Sequence, residues 1–230
     1  MSRANMDKNP QEVAAMFDGV ARRYDIVNDL LSLGRTKAWR RAATKVIAPA
    51  PGMKILDMAA GTGSSSAPLA AAGADVIAAD FSEGMIAAGR KARPDLTFIK
   101  ADALNLPFAN GEFDTATISF GLRNTQNTEK ALAEMLRVVK SGGHLVVAEF
   151  SSPTWRPFRT IYTNYLMRAL PAIARKTSSN PDAYIYLAES IRAWPDQKGL
   201  AAEISAAGWV GTTWKNLTGG VVAVHKARKP

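Results

Sequence analysis

Three aspartates stand at the ends of apolar runs, each just before a loop. Asp57 closes Met53 to Met58, Asp80 closes Ala74 to Asp80, and Asp102 follows Leu96 to Ala101. After Asp57 comes Ala59-Ala60-Gly61-Thr62-Gly63, whose spacing is G-x-G-x-x-S, with Ser66 where a dinucleotide fingerprint has its third glycine. A carboxylate directly under such a loop would repel a pyrophosphate and suit an ammonium group. Asp80 stands where an acidic residue can accept both hydroxyls of a ribose, and Asp102 is placed for an adenine amino group, with the Ala103 backbone beside it. The set points to a nucleoside that carries an amino acid. Strand-end aspartates also cap helices, but three of them on consecutive loops around a Gly-Thr-Gly turn exceed what capping requires.

These residues need a scaffold that brings the ends of several strands to one edge. From Met53 the chain alternates between short apolar runs and segments of helical spacing, as in a parallel sheet wrapped by helices. Strands are expected at Met53 to Met58, Ala74 to Asp80, Leu96 to Ala101, Glu112 to Phe120 and, after a Ser141-Gly142-Gly143 turn, His144 to Phe150. Helices are expected at Ser64 to Ala72, Glu83 to Lys91 and Thr128 to Val139, the last with Leu132, Met135, Leu136 and Val139 on one face. The alternation breaks from Thr154 to Gln197, which is rich in aromatics, arginine and proline and reads as a helical insertion. A helix from Lys198 to Ala207 and a hairpin of Trp209 to Leu217 with Val221 to His225 close the chain. The expected fold is therefore α/β and Rossmann-like: a doubly wound, mostly parallel seven-stranded sheet with an antiparallel last strand. One domain is expected, with an N-terminal helical cap over residues 10–50 and a cofactor-binding core over 53–150. In such sheets the ligand lies at the carboxyl ends of the strands, which ranks the loops at Ala59 to Ser64, Asp80 to Glu83, Asp102 to Leu106 and Ser119 to Asn124.

The chain has 230 residues, no cysteine and two histidines. Disulfides and thiolate metal sites are thus excluded, and a zinc or iron site is not expected. Met1 to Gln11 has no apolar core of signal-peptide type, and no run of apolar residues is long enough to span a bilayer. A cytoplasmic protein is expected. The formal charge of +9 invites an anionic partner, but the basic residues are dispersed, without a dense stripe.

Ile55 through Gly63, Asp80, Ala101-Asp102-Ala103 with Leu106-Pro107-Phe108, and Phe113-Asp114 together resemble the class I methyltransferases. That resemblance implies S-adenosylmethionine as the cofactor. Three further motifs, Phe17 to Asp29 with Leu31-Ser32-Leu33-Gly34 and Trp39-Arg40, Ser119-Phe120-Gly121-Leu122-Arg123-Asn124, and Asn216 to His225, are similar to the menaquinone and ubiquinone biosynthesis C-methyltransferase family over Val13 to Lys226. The likeness implies methyl transfer to the ring of a polyprenyl quinol, with a naphthoquinol favoured and a benzoquinol as the alternative. By analogy Thr62, Asp80, Asp102, Ala103 and Ser119 would hold S-adenosylmethionine, together with Asp57, Gly61 and Gly63. Where many relatives have an aspartate and a bulky apolar residue, this chain has Ser64-Ser65-Ser66, read here as hydroxyls that satisfy free amides at a helix start.

Two other readings stay open: a nucleic-acid methyltransferase, suggested by charge and aromatics, and a cofactor binder without catalysis. No appended RNA- or DNA-binding module is visible, so a nucleic-acid partner is not expected. For quinol chemistry a base and a stabiliser of phenolate charge are needed. His144 and His225 fall outside the site by topology. Arg123 and Asn124 leave the fourth strand at the correct edge, and Tyr24, Asp25 and Asn28 are expected to cover the pocket. The insertion has an apolar lining with arginine rims, suited to a polyprenyl tail drawn from an anionic membrane surface. Peripheral contact with the inner face of a membrane is accordingly expected; nothing in the sequence fixes an oligomeric state.

Overall fold

The computed structural model describes residues 7–18, 32, 34–172 and 181–230. Its framework is a seven-stranded sheet in the order β3-β2-β1-β4-β5-β7-β6. The strands are β1 (Lys54–Met58), β2 (Asp75–Asp80), β3 (Thr97–Lys100), β4 (Phe113–Ser119), β5 (Val139–Phe150), β6 (Val210–Leu217) and β7 (Val222–Arg228). All pairings from β3 to β5 are parallel, while β7 runs antiparallel to both β5 and β6. The chain order thus reverses at β1, and the edge where β1, β2 and β4 end is the crevice that a doubly wound sheet offers to a ligand.

Alternation along the strands divides the core. On one face Leu56, Met58, Ile118 and Val147 pack with Leu132, Met135, Leu200, Ile204 and Trp209. On the other, Ile55, Val146 and Val224 pack with Ala43, Ile47 and Leu69. The helices supplying those residues are α2 (Thr36–Ile47), α3 (Ser66–Ala71), α5 (Thr128–Val138) and α8 (Gln197–Ala206); α4 (Glu83–Ala92) follows β2. Each large apolar side chain so buried contributes roughly 1.5–3 kcal/mol. Trp209 keeps its indole N–H satisfied in the core by donating to the Leu132 carbonyl at 3.1 Å.

The expected turn at Ser141-Gly142-Gly143 is not a turn. β5 begins at Val139, directly after α5, and its first residue pairs with Phe113 before the register shifts. Gly142 has φ +77°, and a Cβ on Gly143 would lie 2.6 Å from the Asp114 carbonyl oxygen, so the glycines let an irregular strand pass close to its neighbours. The insertion is helical, as read: α6 (Arg156–Asn164) continues into a π turn at Tyr165–Ala169, and α7 (Pro181–Ala193) follows. The remaining helix, α1 (Pro10–Asp18), lies against α4. Its last residue fixes it there: Asp18 Oδ1 accepts from the Gly84 amide at 2.9 Å and from the Ser82 hydroxyl. Gly84 has no room for a Cβ, which would meet Asp18 Oδ1 at 2.7 Å.

Candidate functional site

A cavity of about 610 Å³ opens where β1, β2 and β4 end, walled by the loops after these strands and by α1, α2, α6 and α7. Its lining is mostly apolar, with convergent polar groups at two places, as small-molecule sites usually are.

The first polar group comes from the loops after β1, β2 and β3, and it brings Gly61, Thr62, Asp80, Asp102 and Ala103 to one wall, with Ser119 from the end of β4. Asp80 is held by two backbone donors, Gly61 N–H to Oδ2 at 2.8 Å and Ser82 N–H to Oδ1 at 2.9 Å. The Phe81 backbone also hydrogen-bonds this carboxylate; an ionised carboxylate has about four acceptor sites, so it can still receive hydroxyl groups of a ligand. Burial pushes the Asp80 carboxyl up, while the backbone N–H groups work against that shift. Gly61 has φ +58°, and a Cβ built there meets nothing within 4 Å, so the cavity reaches its backbone. Asp102 Oδ1 accepts from Leu104 N–H at 2.9 Å, closing a turn that no helix follows. Capping therefore does not account for Asp80 or Asp102: the hydroxyl of Ser82, not Asp80, caps α4 by accepting from Met85 N–H.

Asp57 and Gly63 stand behind this wall and do not line the cavity. Asp57 is completely buried, and its Oδ2 accepts from the Ser65 hydroxyl at 2.7 Å and the Ser66 hydroxyl at 2.6 Å. This corrects the reading of the serine run. The α3 N-cap, Ser65, makes no capping bond with its side chain, because that hydroxyl is committed to Asp57. Asp57 Oδ1 has no partner among the described residues, and burial raises the carboxyl to about 6 despite the two hydroxyls. Gly63, at φ +82°, lies against Phe98, whose ring a Cβ would meet at 2.8 Å.

The second polar group is the turn after β4. Phe120 has φ +59°, beside Ala59 at φ +54° in the loop after β1. A Cβ on Gly121 would lie 2.3 Å from the Ala59 Cβ, so the two loops touch here. Non-glycine residues held in the left-handed region at a ligand edge are strain that the surrounding structure must sustain. The turn then presents Arg123 and Asn124 at Leu122–Asn124. Arg123 is only 3% exposed; its Nη1 donates to the Phe120 carbonyl at 2.6 Å and to Glu149 Oε1 at 2.9 Å. Its guanidinium also lies over the Phe150 ring, 5.1 Å from the centroid. Glu149, buried on β5, was not singled out from the sequence, where a lone acid in Ala148-Glu149-Phe150 carries no signal. Nε of Arg123 is buried with no partner among the described residues. Asn124 Oδ1 accepts from the Tyr186 hydroxyl of α7 at 3.3 Å. Tyr24, Asp25 and Asn28 lie outside the described residues.

Aromatic side chains share the lining with these groups. Trp39 lies 6.0 Å from Phe120 and 6.0 Å from Phe150, and its indole N–H donates to the Thr218 hydroxyl at 2.8 Å. Phe158, Tyr162 and Tyr165 of the insertion also face the cavity. Neither histidine lines it: His144 pairs with Arg228 at the far end of β5, and His225 is buried, with Nε2 2.9 Å from the Gln197 carbonyl.

Residues 5–229 match the model of the ubiE/COQ5 methyltransferase family. The chain belongs to that family. The enzyme is 62% identical to a demethylmenaquinone methyltransferase of Renibacterium salmoninarum, over all of this chain and 97% of that protein. It is 59% identical to a protein of the same name from Streptomyces avermitilis, over all of this chain and 99% of that protein. Among solved structures, an S-adenosylmethionine-dependent methyltransferase of Thermotoga maritima has the same fold, with a TM-score of 0.67 at 20% identity over 94% of this chain and 99% of that one. The enzyme is thus an S-adenosylmethionine-dependent methyltransferase.

Proposed function

We propose that the enzyme methylates the ring of demethylmenaquinol, giving menaquinol, with Asp80, Thr62, Asp102, Ala103, Ser119 and Gly61 around S-adenosylmethionine and Asp57 and Gly63 shaping their loop from behind. When bound, the cofactor supplies a methyl group already activated by its sulfonium. The observation that carries the reading is one cavity lined by two unlike polar groups, an acidic and backbone-rich one at Asp80 and Asp102 and a cationic turn at Arg123 and Asn124, together with the aromatic cluster of Trp39, Phe120 and Phe150. The first suits a nucleoside. The second suits a hydroxylated aromatic ring that must bear negative charge on oxygen before its ring carbon can act as a nucleophile.

Arg123 and Asn124 hold that charge, and Tyr24 is a further candidate from the sequence. The fixed donors of the turn are preorganised, so they stabilise charge without reorganising when it develops. The quinol hydroxyl gives its proton to water before the ring carbon attacks the methyl group; the ring carbon's own proton then passes to water as aromaticity returns, and the oxygen is reprotonated on release, so one proton is lost overall. Exclusion of bulk water falls to Trp39, Phe120 and Phe158, which wall the same cavity.

The apolar surface continues past the ring site to Tyr165, Leu166 and Leu170, which offers a course for the polyprenyl tail. At the rim Trp155 is 67% and Ile161 65% exposed, beside exposed Arg156 and Arg168. This rim suits peripheral contact with an anionic membrane surface on the cytoplasmic side. Among the described residues no helix is long and apolar enough to cross a membrane.

Labelled S-adenosylmethionine offered with reduced demethylmenaquinone, a benzoquinol analogue and bulk tRNA tests the reading. Label is expected in the naphthoquinol; label in tRNA alone would overturn it.

A further inference from the structure

The side-chain amide of Asn124 is asymmetric: one end accepts hydrogen bonds, the other donates two. Which end is left for a ligand decides whether the turn after β4 offers the substrate a donor or an acceptor. Asn124 itself is at the cavity wall, and its Oδ1 is turned to the Tyr186 hydroxyl, 3.3 Å away. Tyr186 lines the same cavity, so the hydrogen bond takes up the acceptor end of the amide and leaves the NH₂ end to be offered to a ligand.

Tyr186 is well placed to impose that choice. Its side chain is 1% exposed and packed with Val13 and Met16 of α1, next to Phe17 and Ala183. The ring is thereby immobilised by a helix that is itself tied at Asp18 to the Ser82-Gly84 turn following Asp80. Burial pushes the phenol up from its ordinary value, opposed by the nearby Arg123 charge, so Tyr186 keeps its proton throughout the neutral range and serves as a donor.

From these contacts we infer that Tyr186 is a positioning residue for methyl transfer: its hydroxyl takes up the acceptor end of the Asn124 amide and leaves the NH₂ end for a ligand, so that the turn presents donors and selects a substrate oxygen that carries charge. Asn124 and Arg123 then act on that oxygen in the same sense. Arg123 brings a guanidinium whose Nη1 is committed to Phe120 and Glu149, and Asn124 adds a neutral donor held by Tyr186. The inference rests on the proposed placement of the quinol oxygen at this turn. It adds a contact from the helical insertion, remote in sequence, that sets the polarity of the site.

The test is a double-mutant cycle with Tyr186→Phe and Asn124→Ala, assayed with reduced demethylmenaquinone and labelled S-adenosylmethionine. Tyr186→Phe removes one oxygen and keeps the packing on α1. The loss of one orienting hydrogen bond predicts a fall in kcat of about five- to tenfold, with the KM for S-adenosylmethionine unchanged. Because donors to the quinol oxygen favour its ionised form, the acid limb of the kcat profile moves to higher pH in both single variants. Since Tyr186 acts through Asn124, the double variant is no slower than Asn124→Ala alone. Independent, multiplicative losses in the double variant, or wild-type kcat and an unmoved acid limb in Tyr186→Phe while Asn124→Ala is impaired, overturn the inference. Wild-type behaviour of Asn124→Ala overturns instead the placement of the quinol oxygen on which it rests.

Discussion

Arg123, proposed to stabilise charge on the substrate, is also part of a structural ion pair, and the two roles must be separated by experiment. It forms a buried ion pair with Glu149, which also accepts from the Phe150 amide at 2.8 Å. Removing one partner of such a pair leaves an uncompensated charge and typically costs about 3–5 kcal/mol. Arg123→Ala is therefore expected to lose both methyl transfer and stability, and by itself decides nothing. The paired change Arg123→Met with Glu149→Leu removes both charges and should recover most of the unfolding free energy, read by urea titration, while turnover stays lost. Recovered turnover in that variant would remove Arg123 from the site. Asp57 gives a second prediction. Its folded value of about 6 lies above the ordinary 3.8, so the fold prefers the protonated carboxyl. The stability it contributes is fully present below about pH 4 and is lost as pH rises through about 6, a swing of about 3 kcal/mol. Asp57→Asn should thus gain on the wild type by up to that amount between about pH 4 and pH 8 in thermal unfolding without cofactor. Parallel pH curves would sink the assignment. The sequence placed Asp57, Asp80 and Asp102 on adjacent loops because each ends an apolar run, a local signal. It could not show that Ser65 and Ser66 turn to Asp57, nor that Glu149 meets Arg123, since those contacts depend on how β1, β4 and β5 stack.

The loops after β1 and β4 meet as a unit, and their contact makes a prediction for elements. Gly121 packs against Ala59, with both neighbouring non-glycine residues in the left-handed region. Gly121→Ala would force the loops apart, with about 1–3 kcal/mol of lost stability. Because one loop carries Gly61 and Thr62 and the other leads to Arg123, both cofactor affinity and turnover should fall, measured by calorimetric titration and initial rates. Normal affinity for S-adenosylmethionine would show that the loops move independently. The strands themselves were legible because a parallel sheet writes short apolar runs at regular intervals, and observed ends agree with the expected ones to within a few residues, as at Glu83–Ala92 and Phe113–Ser119. The exception, at Gly142 and Gly143, has a physical cause. Glycine pairs most often mark turns, whereas here they serve a strand that must pass the Asp114 carbonyl and exchange bonds with Lys229, Gly142 N–H donating to its carbonyl and its N–H to the Gly143 carbonyl. The tether from Asp18 to Ser82 and Gly84 was equally invisible, since it joins segments far apart in the chain.

At the scale of the whole molecule, the net charge of +9 and the exposed rim become one physical question. Dispersed basic residues give a long-range attraction to any anionic surface, but no orientation. On the proposed membrane reading the α6 rim would supply orientation: α6 buries none of its residues, Trp155 precedes it and Arg156 opens it. An indole set at the headgroup level with arginines beside it gains both apolar burial and about 1 kcal/mol for each basic residue near the surface. The cavity opens at this same helix, since Ile161 both lines it and is 65% exposed, so a prenyl tail could pass between bilayer and site without crossing water. Three outcomes follow for co-sedimentation with vesicles. Wild-type enzyme should pellet with anionic vesicles and not with neutral ones, and lose that binding at high salt as the Debye length shrinks from about 10 Å at 0.1 M to about 3 Å at 1 M. Trp155→Ser and Arg156→Glu together should abolish binding. Turnover of a quinol bearing a short, soluble tail should stay unchanged in that variant, because neither side chain lines the cavity, while the KM for a long-tailed quinol presented in vesicles should rise. Equal sedimentation with neutral and anionic vesicles, or a variant that binds as the wild type does, would show that α6 is not the membrane-facing element and that the charge serves another partner.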